Sequence, residues 1–178
     1  MTEELKPAPV TMKDSSVSGY EAELALDRLR AEQNVVNCAA AGIIASVVGA
    51  VIWAVVTIMT EYQIGWMAVG IGLLVGFAVR FAGKGIDQVF GIIGAVLSIV
   101  GCALGNILSI TFFIAVNEGM PFPDLLSQLN AEIILELLVS TFEVMDVLFY
   151  ALAVYFGYRY AFRQISEDDI SRALGKSL

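Results

Sequence analysis

The thirty residues QVFGIIGAVLSIVGCALGNILSITFFIAVN, from Gln88 to Asn117, contain no charged side chain. A helix of ~20 apolar residues already crosses the ~30 Å hydrocarbon core of a bilayer, and unpaired backbone is too costly in lipid for such a run to be anything but helical there. Working outward, Cys38 to Thr60 and Tyr62 to Val79 are also free of charge, and from Val144 to Tyr158 Asp146 is the only ionised residue. The chain therefore reads as an all-α polytopic membrane protein with four transmembrane helices, at about 37–60, 64–82, 88–116 and 139–162. Composition agrees: 58% of the 178 residues are apolar and 16% charged, with a mean hydropathy of +0.78, against ~45–50% and ~25% in soluble domains.

Charge placement orients these spans. The formal net charge is −8, yet all ten basic residues fall on one side of a four-span arrangement. Lys6, Lys13, Arg28 and Arg30 precede the first span, Arg80 and Lys84 join the second to the third, and Arg159, Arg163, Arg172 and Lys176 follow the fourth. The remaining loops, Glu61 to Gln63 and Glu118 to about Glu136, hold acids and no base. The positive-inside rule then predicts both termini in the cytoplasm. The polar start of the chain lacks a cleavable signal peptide's pattern, so the first span is expected to act as an uncleaved signal-anchor.

Residues 1–17 read as a flexible tail, and Ser18-Gly-Tyr-Glu21 has the capping-box form that opens a helix. The segment 18–36 is thus predicted as a juxtamembrane helix, lying on the membrane surface or running into the first span. Residues 37–162 form the membrane domain and 163–178 a cytoplasmic tail. Small residues recur every fourth position in the first three spans: Ala41, Ala45 and Gly49 beside Gly42, Ser46, Ala50 and Ala54; Ala68, Gly72 and Gly76; Gly101, Gly105 and Ser109. Such rows let helix backbones approach closely in lipid, so Gly49, Gly72, Gly76, Gly101 and Gly105 are the expected packing residues. The third run would extend about 45 Å at ~1.5 Å per residue, longer than the core, and must tilt or protrude. Asp124, after Pro123, is the expected N-cap of a helix carrying Leu125, Leu126, Leu129, Ile133, Leu137 and Leu138. That segment is an outer interfacial helix or an amphipathic lead-in to the last span. Tyr155, Tyr158 and Tyr160 with Arg159 and Arg163 form an inner aromatic belt, and Arg80 is expected to snorkel to the same interface.

If the fourth helix is continuous from Glu132, then Glu132, Glu136, Glu143 and Asp146 share one stripe about 80° wide, at ~100° per residue. Asp146 would then sit a few ångströms from the bilayer centre, where a carboxylate costs ~2.5–3.5 kcal/mol to insert and normally faces the bundle or water. Asn106, at comparable depth on the third span, is the first candidate partner. Two readings follow. In one, Glu61, Glu118, Asp124, Glu132 and Glu136 form an acidic outer vestibule leading to Glu143, Asp146 and Asn106, a path for cations or protons. In the other, Asp146 is protonated and hydrogen-bonds Asn106 or a backbone carbonyl.

An enzyme is not expected. There is no histidine, no Gly-x-Ser-x-Gly or Walker motif, and Gly70-Ile-Gly72 is not followed by the third glycine of a dinucleotide fingerprint. Cys38 and Cys102 are isolated in apolar helices and read as packing residues, without a disulfide or metal site. No basic nucleic-acid-binding patch is present and no cofactor is implied. The partners expected are the lipid bilayer and further membrane proteins, as a homo-oligomer or with other subunits.

Two stretches carry a resemblance. Glu61-Tyr-Gln-Ile-Gly-Trp-Met-Ala-Val-Gly-Ile-Gly72, continuing to Gly76 and Arg80, and Asp146-Val-Leu-Phe-Tyr-Ala-Leu-Ala-Val-Tyr-Phe-Gly-Tyr-Arg159 are similar to sequences in a widespread group of small, uncharacterised multispanning bacterial membrane proteins. Some members carry an N-terminal zinc ribbon, whose cysteines this chain lacks. The resemblance implies a four-span architecture in a bacterial inner membrane and supplies no activity. The function expected is structural or accessory, as a subunit of a membrane assembly; the alternative is an oligomeric cation or proton channel or transporter.

Overall fold

The computed structural model describes residues 19–175; the predicted tail, the Ser18 cap and the bases Lys6, Lys13 and Lys176 lie outside the described residues. Among the described residues every regular element is an α-helix. The chain divides into two compact units, one holding the described residues 19–29 and 165–175, the other residues 30–164.

The first unit holds most of α1 (Gly19–Ala31) and all of α8 (Glu167–Leu174). Ser166 and Asp169 cap α8 reciprocally: the Asp169 amide donates to Ser166 Oγ and the Ser166 amide to Asp169 Oδ2, each at 3.2 Å. The Arg28 guanidinium donates to the Ala173 carbonyl, and Ala25 and Leu29 are buried.

In the second unit, α2 (Val35–Thr60) starts afresh after a break, Asn34 Oδ1 accepting from the Asn37 amide at 2.9 Å. The juxtamembrane helix therefore does not run into the first span. It is followed by α3 (Trp66–Gly83), α4 (Gln88–Glu118), α5 (Phe122–Gln128), α6 (Ala131–Thr141) and α7 (Val144–Tyr160). Helices α2, α3 and α4 are each long and apolar enough to cross a membrane. The expected fourth span is not one straight helix. Its two parts, α6 and α7, meet at a 109° bend, so among the described residues there are three such helices, or up to four crossings if the bent pair counts as one. Alone, the 17 residues of α7 extend about 25 Å, short of the ~30 Å core.

The bundle is built on the pair α3 and α4, with α2 and α7 each packed against both. Its packing inverts that of a water-soluble protein. The inner face of α2 is Cys38, Gly42, Ala45, Ser46, Gly49, Ala50 and Ala54 with Trp53, while Ile43, Ile44, Val47, Val48, Val51 and Ile52 point outward. That suits a hydrocarbon solvent, in which small residues bring helices close and aliphatic side chains need no covering.

The glycine rows predicted from the sequence are the contact points. A Cβ on Gly101 would meet Ser46 and Ile71; on Gly49, Ile71; on Gly105, the Trp53 ring; on Gly76, Tyr160 and the Phe156 carbonyl. On Gly72 it would fall 2.5 Å from the Ala153 carbonyl oxygen and 2.8 Å from the Ala153 Cα, backbone atoms that cannot turn aside. Gly94 and Gly157 meet in the same way across α4 and α7.

The long α4 is continuous, and α5 folds back on it, Phe122 meeting Phe112 at 6.0 Å between ring centroids. Helix α5 begins three residues earlier than expected: Pro121 is the N-cap and Asp124 lies within the first turn.

Gly72→Ala should lower the detergent melting temperature, costing about 1–3 kcal/mol as an overpacked contact. Gly70→Ala, whose Cβ would meet nothing within 4 Å, should leave it unchanged or raise it. Circular dichroism melts of the two variants make the check; equal losses would mean that the α3–α7 approach does not limit stability.

Candidate functional site

The end of the bundle where α2 passes into α3 and α7 begins gathers the candidate polar residues. Glu143 is the N-cap of α7 and Asp146 stands in its first turn. The Glu143 amide donates to Asp146 Oδ2 at 2.9 Å, and the Asp146 amide donates to the Glu143 carbonyl at 3.0 Å. A carboxylate at this position satisfies a free amide and meets the positive end of the helix dipole. Asp146 is thus at a helix terminus and not halfway along a continuous span, and it is only partly buried.

The single acidic stripe is corrected by the same feature. Glu132 and Glu136 lie on α6, beyond the 109° bend, so they do not continue the face of Glu143 and Asp146. Of the vestibule residues, Glu61 terminates α2 in a left-handed conformation (φ 57°), Glu118 ends α4, and Asp124 and Glu132 occupy the first turns of α5 and α6. All five, with Glu136, are exposed. Among the described residues no three carboxylates come close enough together to hold a metal ion.

Asn106 is almost completely buried (1% exposed) and its Oδ1 accepts from Gln63 Nε2 at 3.4 Å, tying α4 to the α2–α3 turn. It is not hydrogen-bonded to Asp146. Between the two neighbourhoods stands Tyr150, which lies beside the Asn106 amide and within electrostatic range of Asp146 and Cys102. Its hydroxyl is outside hydrogen-bonding geometry, as are Asn106 Nδ2, Trp53 Nε1, Thr57 Oγ1 and Thr111 Oγ1, all buried in the same half of the bundle. These are uncharged amide, hydroxyl and indole groups. They can hydrogen-bond a neutral or weakly polar group, but they supply no fixed charge for a cation.

An open cleft of about 170 Å³ leads in from this end, lined by Gln63, Gly65, Glu143, Met145, Asp146 and Phe149. The Phe149 ring lies directly on Gly65, where a Cβ would fall 2.2 Å from it, and packs edge-on against Trp66 at 5.9 Å. Sequence reasoning missed Gln63 and placed Tyr150 on the face of the acids without counting it in the site; their polar tips become neighbours of Asn106 only when three separate segments meet. The helix start at Glu143 did leave a signal: an acid at 143 and another three residues later is a capping-box spacing.

No protein-family model, curated protein or solved structure matches the chain.

Asp146→Ala should fray the first turn of α7, costing about 1 kcal/mol, and should speed hydrogen exchange at the amides of residues 143–147. Asp146→Asn keeps an acceptor oxygen and should retain most of the protection. Matching exchange in Asp146→Ala and the wild type would remove the capping role.

Proposed function

We propose that the chain is an integral membrane protein of structural or accessory type, a non-enzymatic subunit of a homo- or hetero-oligomeric assembly. Its setting in this reading is a bacterial inner membrane, with both termini cytoplasmic, as charge placement and the resemblance to small multispanning bacterial proteins imply. The observation that carries the reading is the use made of Asp146. The one acid within the apolar stretch 144–158 is engaged in capping α7, which gives it a structural task and no need of a transported ion. The bundle interior beyond it is filled by small residues in backbone contact. Ser98 and Ser46, the hydroxyls on that route, are bonded to the Gly94 and Leu97 carbonyls.

The acid-lined cleft at Glu143 and Asp146 favours the second reading, an oligomeric cation or proton path with its mouth there. Purified protein in proteoliposomes separates the two. The accessory reading expects no cation flux above protein-free vesicles in either wild type or Asp146→Asn, together with co-purification of further copies or of another membrane protein after mild extraction. Flux in the wild type that Asp146→Asn abolishes would overturn it in favour of the path.

A further inference from the structure

At the opposite end of the bundle, Arg80 in the last turn of α3 and Arg159 and Arg163 at and just beyond the end of α7 line one cavity of about 270 Å³, with Tyr155, Phe156 and Tyr160. Two acids of this end pair with bases, Glu32 with the cavity's Arg163 and Asp87 with Arg30 outside it. Glu32 accepts from Arg163 Nη1 at 3.0 Å and lies 3.9 Å from Lys84 Nζ, while Asp87 lies 3.4 Å from Arg30 Nε and accepts from Gln33 Nε2 at 2.9 Å. Arg80 and Arg159 have no carboxylate partner among the described residues. Arg80 lies instead over the Phe81 ring, 5.8 Å from its centroid. Guanidinium groups converging on one cavity with so little counter-charge repel one another unless an anion joins them, and their planar donors match phosphate oxygens.

Beside the cavity runs an aromatic wall. Phe81 stacks on Phe77 at 6.3 Å, Phe77 meets Tyr160 at 5.1 Å, and Tyr160 stacks on Phe156 at 5.9 Å. Phe81 is 73% exposed and Tyr155 58%. An arginine-lined cavity that opens onto exposed aromatic rings, at the terminus of an apolar helix long enough to cross a bilayer, matches the two-part chemistry of a lipid better than that of a soluble anion.

We propose that this cavity holds the phosphate headgroup of an anionic phospholipid, Arg80 and Arg159 supplying the charge and the Phe77–Phe81 flank of α3 lying against the acyl chains. The inference rests on the membrane placement of α3 and α7 and is independent of the assembly role.

Native mass spectrometry of the full chain, released from equimolar phosphatidylglycerol and phosphatidylcholine, tests it. The wild type should retain phosphatidylglycerol over phosphatidylcholine by about 25-fold, from roughly fivefold for each of the two arginines near the headgroup. Arg159→Gln, at an exposed position, should lose several-fold of this preference, and the double variant Arg80→Gln/Arg159→Gln nearly all of it. Lys84→Gln, at the same end but outside the cavity, should keep it. Equal retention of both lipids by the wild type would overturn the proposal while still placing the chain in a bilayer. A loss in Lys84→Gln as large as in the double variant would also overturn it, by showing only a general attraction to basic charge. Displacement of the lipid by millimolar inorganic phosphate or glycerol phosphate would assign the cavity to soluble anions instead.

Discussion

The contact on which the bundle depends is between backbones. Gly72 lies against the Ala153 carbonyl and Gly94 against the Gly157 carbonyl, so α7 is separated from α3 and from α4 by little more than main-chain atoms. Between helices in lipid there is no hydrophobic force to supply cohesion, and van der Waals contact over a close-fitting surface replaces it. The rest follows from that closeness. With small side chains inside, the valines and isoleucines of α2 can only face outward, and the few large buried groups, such as Trp53 against Gly105, need a glycine opposite them.

The same economy governs the charges of α2, α3, α4 and α7, which stand at helix ends. Asp146 caps α7, Glu61 and Lys84 terminate α2 and α3 in left-handed conformations, and Arg80 and Arg159 stand in last turns. At one end this leaves exposed carboxylates on separate segments above a neutral polar group of Gln63, Asn106 and Tyr150. At the other it leaves guanidinium groups converging on a cavity. The two ends thus offer different surfaces: dispersed negative charge against a concentrated positive pocket beside aromatic rings. A bilayer interface discriminates between such surfaces through anionic headgroups.

Much of this was legible along the chain. The predicted spans 37–60, 64–82 and 88–116 match α2, α3 and α4 to within two residues at each end, and small-residue spacing picked out Gly49, Gly72, Gly76, Gly101 and Gly105, which lie against neighbouring helices. The break between Thr141 and Val144 was not legible from hydropathy, because the apolar content continues through Phe142 and only a local capping pattern interrupts it. The acidic stripe failed for that reason: an angular position on a helix is meaningful only while the helix is unbroken.

Sequence by itself determined the class and the apolar segments, since each of these is a sum over consecutive residues. Only the tertiary structure decided which polar groups meet. Asn106 with Gln63 are 43 positions apart, and Arg80 reaches the cavity of Arg159 from another helix. Such meetings depend on the rotation of one helix about its axis relative to the next, which is set where two surfaces pack and is written in neither segment alone.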